Sequence, residues 1–360
     1  MPPADVSTHA AARDRLCDRR FDHWVPAPAG AASGDRFEAV SARWLAHMDA
    51  AARTPLRAAL GRRLAARGGA ALQRRRHAAA RDLVAASRRR GRLDVAGDLA
   101  RPLALAETAA VLGLGGDRHR RLGELLTAAG ETTVLAALTD PGANGPAAAV
   151  RRLLALAIQE RWHEEGLLAD LATAEAAGDC EAGDAVRFAL LFLFAGHENV
   201  AYFVANAVLA LAAEPAAWRR FAAADESWRR AALDELLRAA GPVERLPLYA
   251  GEAITCAAGE VAAGECVVVE LAAANRDPEH YEHPDRLDLE RRPRDHLAFG
   301  AGSHRCPGAA LAARESLAAL TALTTAVAPP DPETLAVRWQ TASPVLRGPR
   351  HLWLPLAEDP

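Results

Sequence analysis

Apolar residues recur about every three to four positions along most of the chain, a period that predicts helices. From Thr54 to Arg67 they recur at helical spacing among arginines, and Ala70 to Arg90 predicts a second helix with a strongly basic outer face. Further helices are expected over 102–113 and 117–137, from Ala147 to Glu164, and near Leu167–Ala176. The breaker-rich Asp140-Pro-Gly-Ala-Asn-Gly-Pro146 is a loop among them. The longest regular segment is Asp184 to Ala213, a largely apolar helix ended by Glu214-Pro215, and helices continue to Ala240. Between Leu246 and Leu271 the period changes. Short runs such as Cys266-Val-Val-Val-Glu270, separated by glycines, read as strands. A polar stretch from Asn275 to His296 leads to a glycine-punctuated loop, a helix over 307–326 and a strand-like tail. Residues 1–47 read as irregular, interrupted by Pro26, Pro28 and Gly30. No repeat and no linker divides the pattern, so the expectation is mainly α: one helix-rich domain over 1–360 with a minor β region.

Composition narrows the function classes. At 360 residues the chain can bury a large core. Lysine is absent, all 43 basic residues are arginines, and a formal charge of −3 argues against a general nucleic-acid binder. Cys17, Cys180, Cys256, Cys266 and Cys306 are scattered without a C-x-x-C pair, so neither a zinc site nor a disulfide framework is indicated. A reduced, cytoplasmic setting is expected. Residues 1–20 carry several charges and no apolar run, and Phe188 to Gly196 is too short to span a bilayer, so no signal peptide and no membrane anchor are expected.

Three short strings carry chemistry. In Phe299-Gly-Ala-Gly-Ser-His-Arg-Cys306-Pro-Gly308, Gly300 and Gly302 allow the backbone to curl around the sulfur. A helix is expected to begin at Pro307, where its N–H groups and positive dipole end favour a thiolate. A thiolate held this way, with Phe299 upstream, suits an axial ligand for haem iron. Glu235-Leu-Leu-Arg238 places an acid and a base on one helix face. Ala195-Gly196-His197-Glu198-Asn199 sets a carboxylate in a mid-helix apolar context, where burial is costly without a purpose.

Together these strings resemble the cytochrome P-450 superfamily. The loop fills its haem-binding pattern F-x-x-G-x-H/R-x-C-x-G, with Gly308 as the last glycine. The resemblance implies a single-domain cytochrome P-450 fold with a shortened N-terminal part, haem b (iron protoporphyrin IX) as cofactor, and Cys306 as the iron ligand. It implies that Glu235 and Arg238 lock to a further arginine, taken as Arg286, and so hold the cysteine loop in place. Ala195, Gly196, Glu198 and Asn199 would line the distal side, the Ala-Gly pair opening a kink or π-bulge. Asn199 stands where relatives carry threonine, and an amide relays protons less readily than a hydroxyl.

The string from Met48 to Arg57 is similar to the start of the family's C helix. That similarity implies that Arg57 and Arg53, with His304, neutralise the haem propionates. The activity implied is that of a soluble bacterial monooxygenase oxidising a small-molecule substrate, in keeping with secondary metabolism. Its expected electron donor is a ferredoxin docking on Arg57, Arg62, Arg63, Arg74 and Arg305. Asn199 leaves room for a second chemistry: peroxide use, oxidative coupling, N–O dehydration or nitrene-like transfer. The rival from another class is a haem- or ligand-binding protein without turnover.

Overall fold

The computed structural model describes residues 6–22, 58, 60–116, 152, 166–178, 184–256, 259–302, 305–341 and 345–356. Helices dominate these residues because apolar stripes recur at helical spacing. In chain order they are α1 (His9–Cys17), α2 (Ala70–Arg88), α3 (Arg101–Leu112), α4 (Leu167–Ala177), α5 (Asp184–Ala213), α6 (Pro215–Ala223), α7 (Glu226–Ala240), α8 (Leu271–Ala274) and α9 (Ala309–Ala326). Residues 60–66 are helical as well. The strands are short: β1 (Phe21–Asp22), β2 (Arg92–Asp94), β3 (Arg245–Ala250), β4 (Ile254–Cys256), β5 (Gly259–Val261), β6 (Cys266–Glu270), β7 (Ala336–Trp339) and β8 (Pro349–Pro355). They form two three-stranded sheets, ordered β1-β3-β6 and β2-β8-β7, and a β4-β5 hairpin. The mainly α expectation with a minor β region holds.

The chain packs as two compact units. The first comprises Met1–Phe21, Gly69–Ala104 and Glu198–Pro360. Its main core gathers Ala80 and Val84 of α2, Val204, Val208 and Leu211 of α5, Trp218 and Phe221 of α6, Leu233 and Leu236 of α7, and Leu317 and Leu320 of α9. Burying one such leucine, valine or phenylalanine stabilises by about 1.5–3 kcal/mol, and here one side of each helix does so together. A second core lies under the β3–β6 pair, where Leu248 faces Val267 across an antiparallel register. The other unit comprises Asp22–Gly68 and Leu105–His197, and it buries Leu60, Leu64, Leu112, Leu167, Leu171, Phe188 and Leu193. Arg63 holds Asp170 there through two bonds of 2.6 and 2.7 Å.

Among the described residues two elements depart from the sequence expectation; the helix expected over 117–137, the loop at 140–146 and all but residue 152 of the helix expected over 147–164 lie outside them. Residues 9–17, read as irregular, form α1. Its buried residues His9, Ala12 and Leu16 make a stripe too short to register among so many polar neighbours. Tertiary partners hold it: the His9 amide donates to Asp277 (2.8 Å) and the His9 ring stacks on His280 at 3.6 Å. The Thr8 hydroxyl accepts from the Ala11 amide and caps the helix. The second departure is a π-helical turn, Val95–Ala100, leading into α3. Gly97 is required in it, since a Cβ there would lie 2.4 Å from Asp94 Oδ2. Asp94 is itself committed, accepting from the Leu352 amide at 3.1 Å and contacting His351 Nδ1 at 2.6 Å.

Candidate functional site

Backbone hydrogen bonds tie both ends of the cysteine loop, of which residues 303 and 304 lie outside the described residues. The Gly300 amide donates to Leu297 O (2.9 Å) to open the turn, and the Cys306 amide donates to Phe299 O (2.9 Å) to close it. Gly300 and Gly302 have φ of 68° and 61°, the left-handed region that glycine enters without strain. Gly302 is doubly constrained, because a Cβ there would meet Leu16 O at 2.7 Å and Cys17 Cα at 2.8 Å. Phe299 packs against the main core and anchors the upstream end. The helix begins at Ala309, not at Pro307. Gly308 is its cap, and Pro307 is spent on the turn. The shift keeps Cys306 beside the N-terminal end of an 18-residue helix, with its side chain exposed.

A cysteine serving the core would be buried like a small hydrophobe. This one is presented outward on a fixed loop, next to the positive end of a helix. A single soft donor offered in this way fits a thiolate ligand to haem iron.

One step back from the loop, His296 is buried, with 5% of its side chain exposed. Its Nδ1 accepts from the Ala298 amide at 3.2 Å. Burial first, and then the Arg305 charge, pushes its pKa down to about 4, so the ring is neutral at ordinary pH.

Glu235 and Arg238 on α7 form a fully buried pair. Arg238 Nε and Nη2 donate to the two carboxylate oxygens at 2.7 and 2.8 Å. The pair is fully enclosed by further partners, which is what a buried charge requires. Arg238 Nη1 donates to Asn275 O (2.8 Å), and its guanidinium lies over the Tyr281 ring. Glu235 Oε1 accepts from the Asp288 amide (3.0 Å) and from Arg291 Nε (3.2 Å). The third arginine of the clamp is therefore Arg291, and the assignment of Arg286 is corrected. Arg286 offers only its carbonyl, 3.5 Å from Arg238 Nη2, and it is an exposed residue. The reason is local: the His283–Arg286 turn aims that side chain outward, whereas Arg291 bonds back to the carbonyls of Glu282, His283 and Arg286. Asn275 completes the link to the loop, its Oδ1 accepting from the Leu297 amide at 2.7 Å.

On α5 the structure separates the two distal candidates. Glu198 is buried and held by Arg101, whose Nε donates to both carboxylate oxygens at 3.1 Å. Arg101 Nη1 donates onward to Arg350 O at 3.1 Å. Asn199 Oδ1 is buried with no hydrogen-bond partner among the described residues. Ala195 is exposed and Gly196 half-buried, and a Cβ on Gly196 would lie 2.7 Å from Thr108 Oγ1. The π-bulge allowed for at this pair does not form. Helix α5 stays α-helical from end to end, and the π-helical turn lies at Val95–Ala100.

Arg53, Arg57 and His304 lie outside the described residues. Of the arginines expected to face a redox partner, Arg63 is bound to Asp170. Sequence reasoning missed Arg101, Arg291 and His296. Arg101 left no local signal, since it continues the helical run from Val95–Ala100 and its partner Glu198 lies 97 positions on. Arg291 and His296 left none, because their neighbours come from distant segments.

The cytochrome P450 family model matches residues 229–325. Cyclomarin C epoxidase CymV of Salinispora arenicola is 33% identical over 312 residues, covering 81% of this chain and 75% of that protein. Vitamin D(3) 25-hydroxylase of Pseudonocardia autotrophica is 40% identical over 136 residues, 38% of this chain and 34% of that protein. The first curated relatives are thus matched over only about a third to a half of their own length. Among solved structures, the tirandamycin C-bound monooxygenase TamI superposes with a TM-score of 0.79 at 25% identity, covering 98% of this chain and 88% of that one.

Proposed function

The chain belongs to the cytochrome P450 family, whose proteins carry haem b, and we propose that it is a haem-thiolate monooxygenase acting on a small organic molecule of bacterial secondary metabolism. The observation that carries the reading is the outward-facing Cys306 on its backbone-locked loop beside the start of α9. Relatives whose names state an epoxidase, a hydroxylase and a tirandamycin-binding monooxygenase support the reaction class. Cys306 would hold the iron. When bound, the haem supplies dioxygen activation, which thiolate donation favours. Arg53, Arg57 and His304 are proposed to neutralise its propionates.

The protein's own part is to hold the loop, place the substrate and manage protons. Glu235, Arg238 and Arg291 fix the segment that leads into the cysteine loop. Glu198 would serve as the proton-handling acid at Oε1 or Oε2. Both oxygens are held by Arg101 Nε, so relay through Glu198 requires that contact to open. Asn199 Oδ1, buried and unpartnered, would accept a hydrogen bond from a substrate group or an ordered water. Gly196 and Ala195 keep that stretch of α5 slim. No helix among the described residues is long and apolar enough to cross a membrane by itself. A cytoplasmic enzyme drawing electrons from a small acidic ferredoxin is the matching arrangement.

The test is turnover of candidate substrates with dioxygen and a reduced surrogate ferredoxin, run beside peroxide alone and no oxidant. Oxygenated product only in the first arm supports the proposal. Product only with peroxide, or none in any arm while substrate still binds, overturns it. Cys306→Ser should lose the red-shifted absorption of the reduced carbon monoxide complex, and an unchanged spectrum would remove Cys306 as the ligand.

A further inference from the structure

A cleft of about 400 Å³ opens between α2, α7 and α9, and of its lining residues Arg74 is the one also expected to face a redox partner. That volume lies within the range of small-ligand sites. Arg74, His77 and Arg81 stand at i, i+3 and i+7 on α2 and so share the face turned to the cleft. Arg74 and Arg81 have no ion-pair or hydrogen-bond partner among the described residues. Among the described residues Glu226 is the only carboxylate in the lining, and it is bonded to Arg230 at 2.8 Å. Arg229 adds a third positive charge, though its guanidinium is engaged with the carbonyls of Phe221 and Ala222. Thr321 Oγ1, from α9, is buried there without a hydrogen-bond partner.

We propose that this cleft binds a polyphosphate anion, with Arg74 and Arg81 each taking one phosphoryl group and the Thr321 hydroxyl donating to the bridge between them. The two guanidinium groups spring from points about 10 Å apart along the helix axis. Two guanidinium groups give two docking points, which a ligand with two phosphoryl groups can engage together. Guanidinium forks are suited to phosphoryl oxygens in paired bonds. His77 reports on the same field. Its pKa is lowered first by burial, with Glu226 opposing, and then by Arg81, Arg229 and Arg76. An anion in the cleft would raise it.

Pyrophosphate is titrated into the holoprotein at constant ionic strength, with orthophosphate in parallel, while melting temperature and the His77 ring resonances are followed. Saturable stabilisation by pyrophosphate, at least about ten-fold weaker orthophosphate binding, and a rise in the His77 titration point are expected. The double variant Arg74→Gln/Arg81→Gln changes two exposed residues. It should weaken binding at least about ten-fold without moving the unliganded melting temperature. Thr321→Val should weaken it several-fold. ADP in place of pyrophosphate separates the sources: tighter binding assigns the cleft to a nucleotide, weaker binding to a free polyphosphate. Absence of saturation, equal orthophosphate binding, or unchanged affinity in the double variant overturns the proposal.

Discussion

A single residue decides most in the buried clamp, because a buried charge that loses its partner has no water to turn to. Arg291 contributes a charge-assisted bond to Glu235 and ties down three carbonyls, so Arg291→Ala should cost about 1.5–3 kcal/mol. The exposed Arg286 should lose no more than about 0.5 kcal/mol on the same change. Urea unfolding of the two variants checks this; equal losses would mean the clamp is misassigned. Asn199 makes the opposite case. Replacing an unsatisfied buried acceptor with an apolar residue of similar shape removes a desolvation cost of about 1–3 kcal/mol. Asn199→Leu should therefore raise the melting temperature while weakening substrate binding in a spectral titration. A variant that lost stability and kept its substrate affinity would show that Oδ1 faces no ligand.

His296 gives a pH signature. Its folded pKa of about 4 lies below the unfolded value of 6.5, so the unfolded chain binds more protons between the two. Stability from this group is complete above the unfolded pKa and is lost as pH falls towards the folded one. From pH 7 to pH 5 the loss should be about 2 kcal/mol. His9, whose pKa is also lowered mainly by burial, adds to the same slope, so the check is the difference between wild type and His296→Gln. If both lose equal stability over that interval, His296 is not the titrating group.

At the level of the element, the cysteine loop shows how backbone angles and close packing combine. Gly178, which ends α4 with φ of 80°, has nothing within 4 Å of a would-be Cβ. Gly178→Ala should cost only the left-handed strain, about 1–2 kcal/mol. Gly302 bears the same strain and also abuts the backbone of Leu16 and Cys17. Gly302→Ala should displace the loop from α1 and lower the haem-to-protein ratio of the purified enzyme well below that of Gly178→Ala. Equal haem content in the two would mean that the contact with α1 does not support the loop. The same contact explains why α1 matters. Its own stripe is weak, and its role is to be packed against by a loop 285 residues later in the chain, counting from Cys17 to Gly302.

For the whole molecule, the sequence by itself determined whatever depends on neighbours in the chain. The period of apolar residues gave the helical class and the long α5, since that helix needs only its own apolar face and the Glu214-Pro215 stop. The glycine spacing around Cys306 gave the tight turn of the cysteine loop, because a left-handed turn is a local property. The i, i+3 pair Glu235–Arg238 was legible for the same reason. Tertiary structure alone decided who stands opposite each charge. Arg101 reaches Glu198 across 97 positions and Arg291 reaches Glu235 across 56, and no local pattern encodes either meeting. It also decided that α1 is a helix, that the π-helical turn falls at Val95–Ala100 and not in α5, and that His296 is neutral. Each of these is set by desolvation and by partners brought from distant segments, quantities that exist only once the chain has packed.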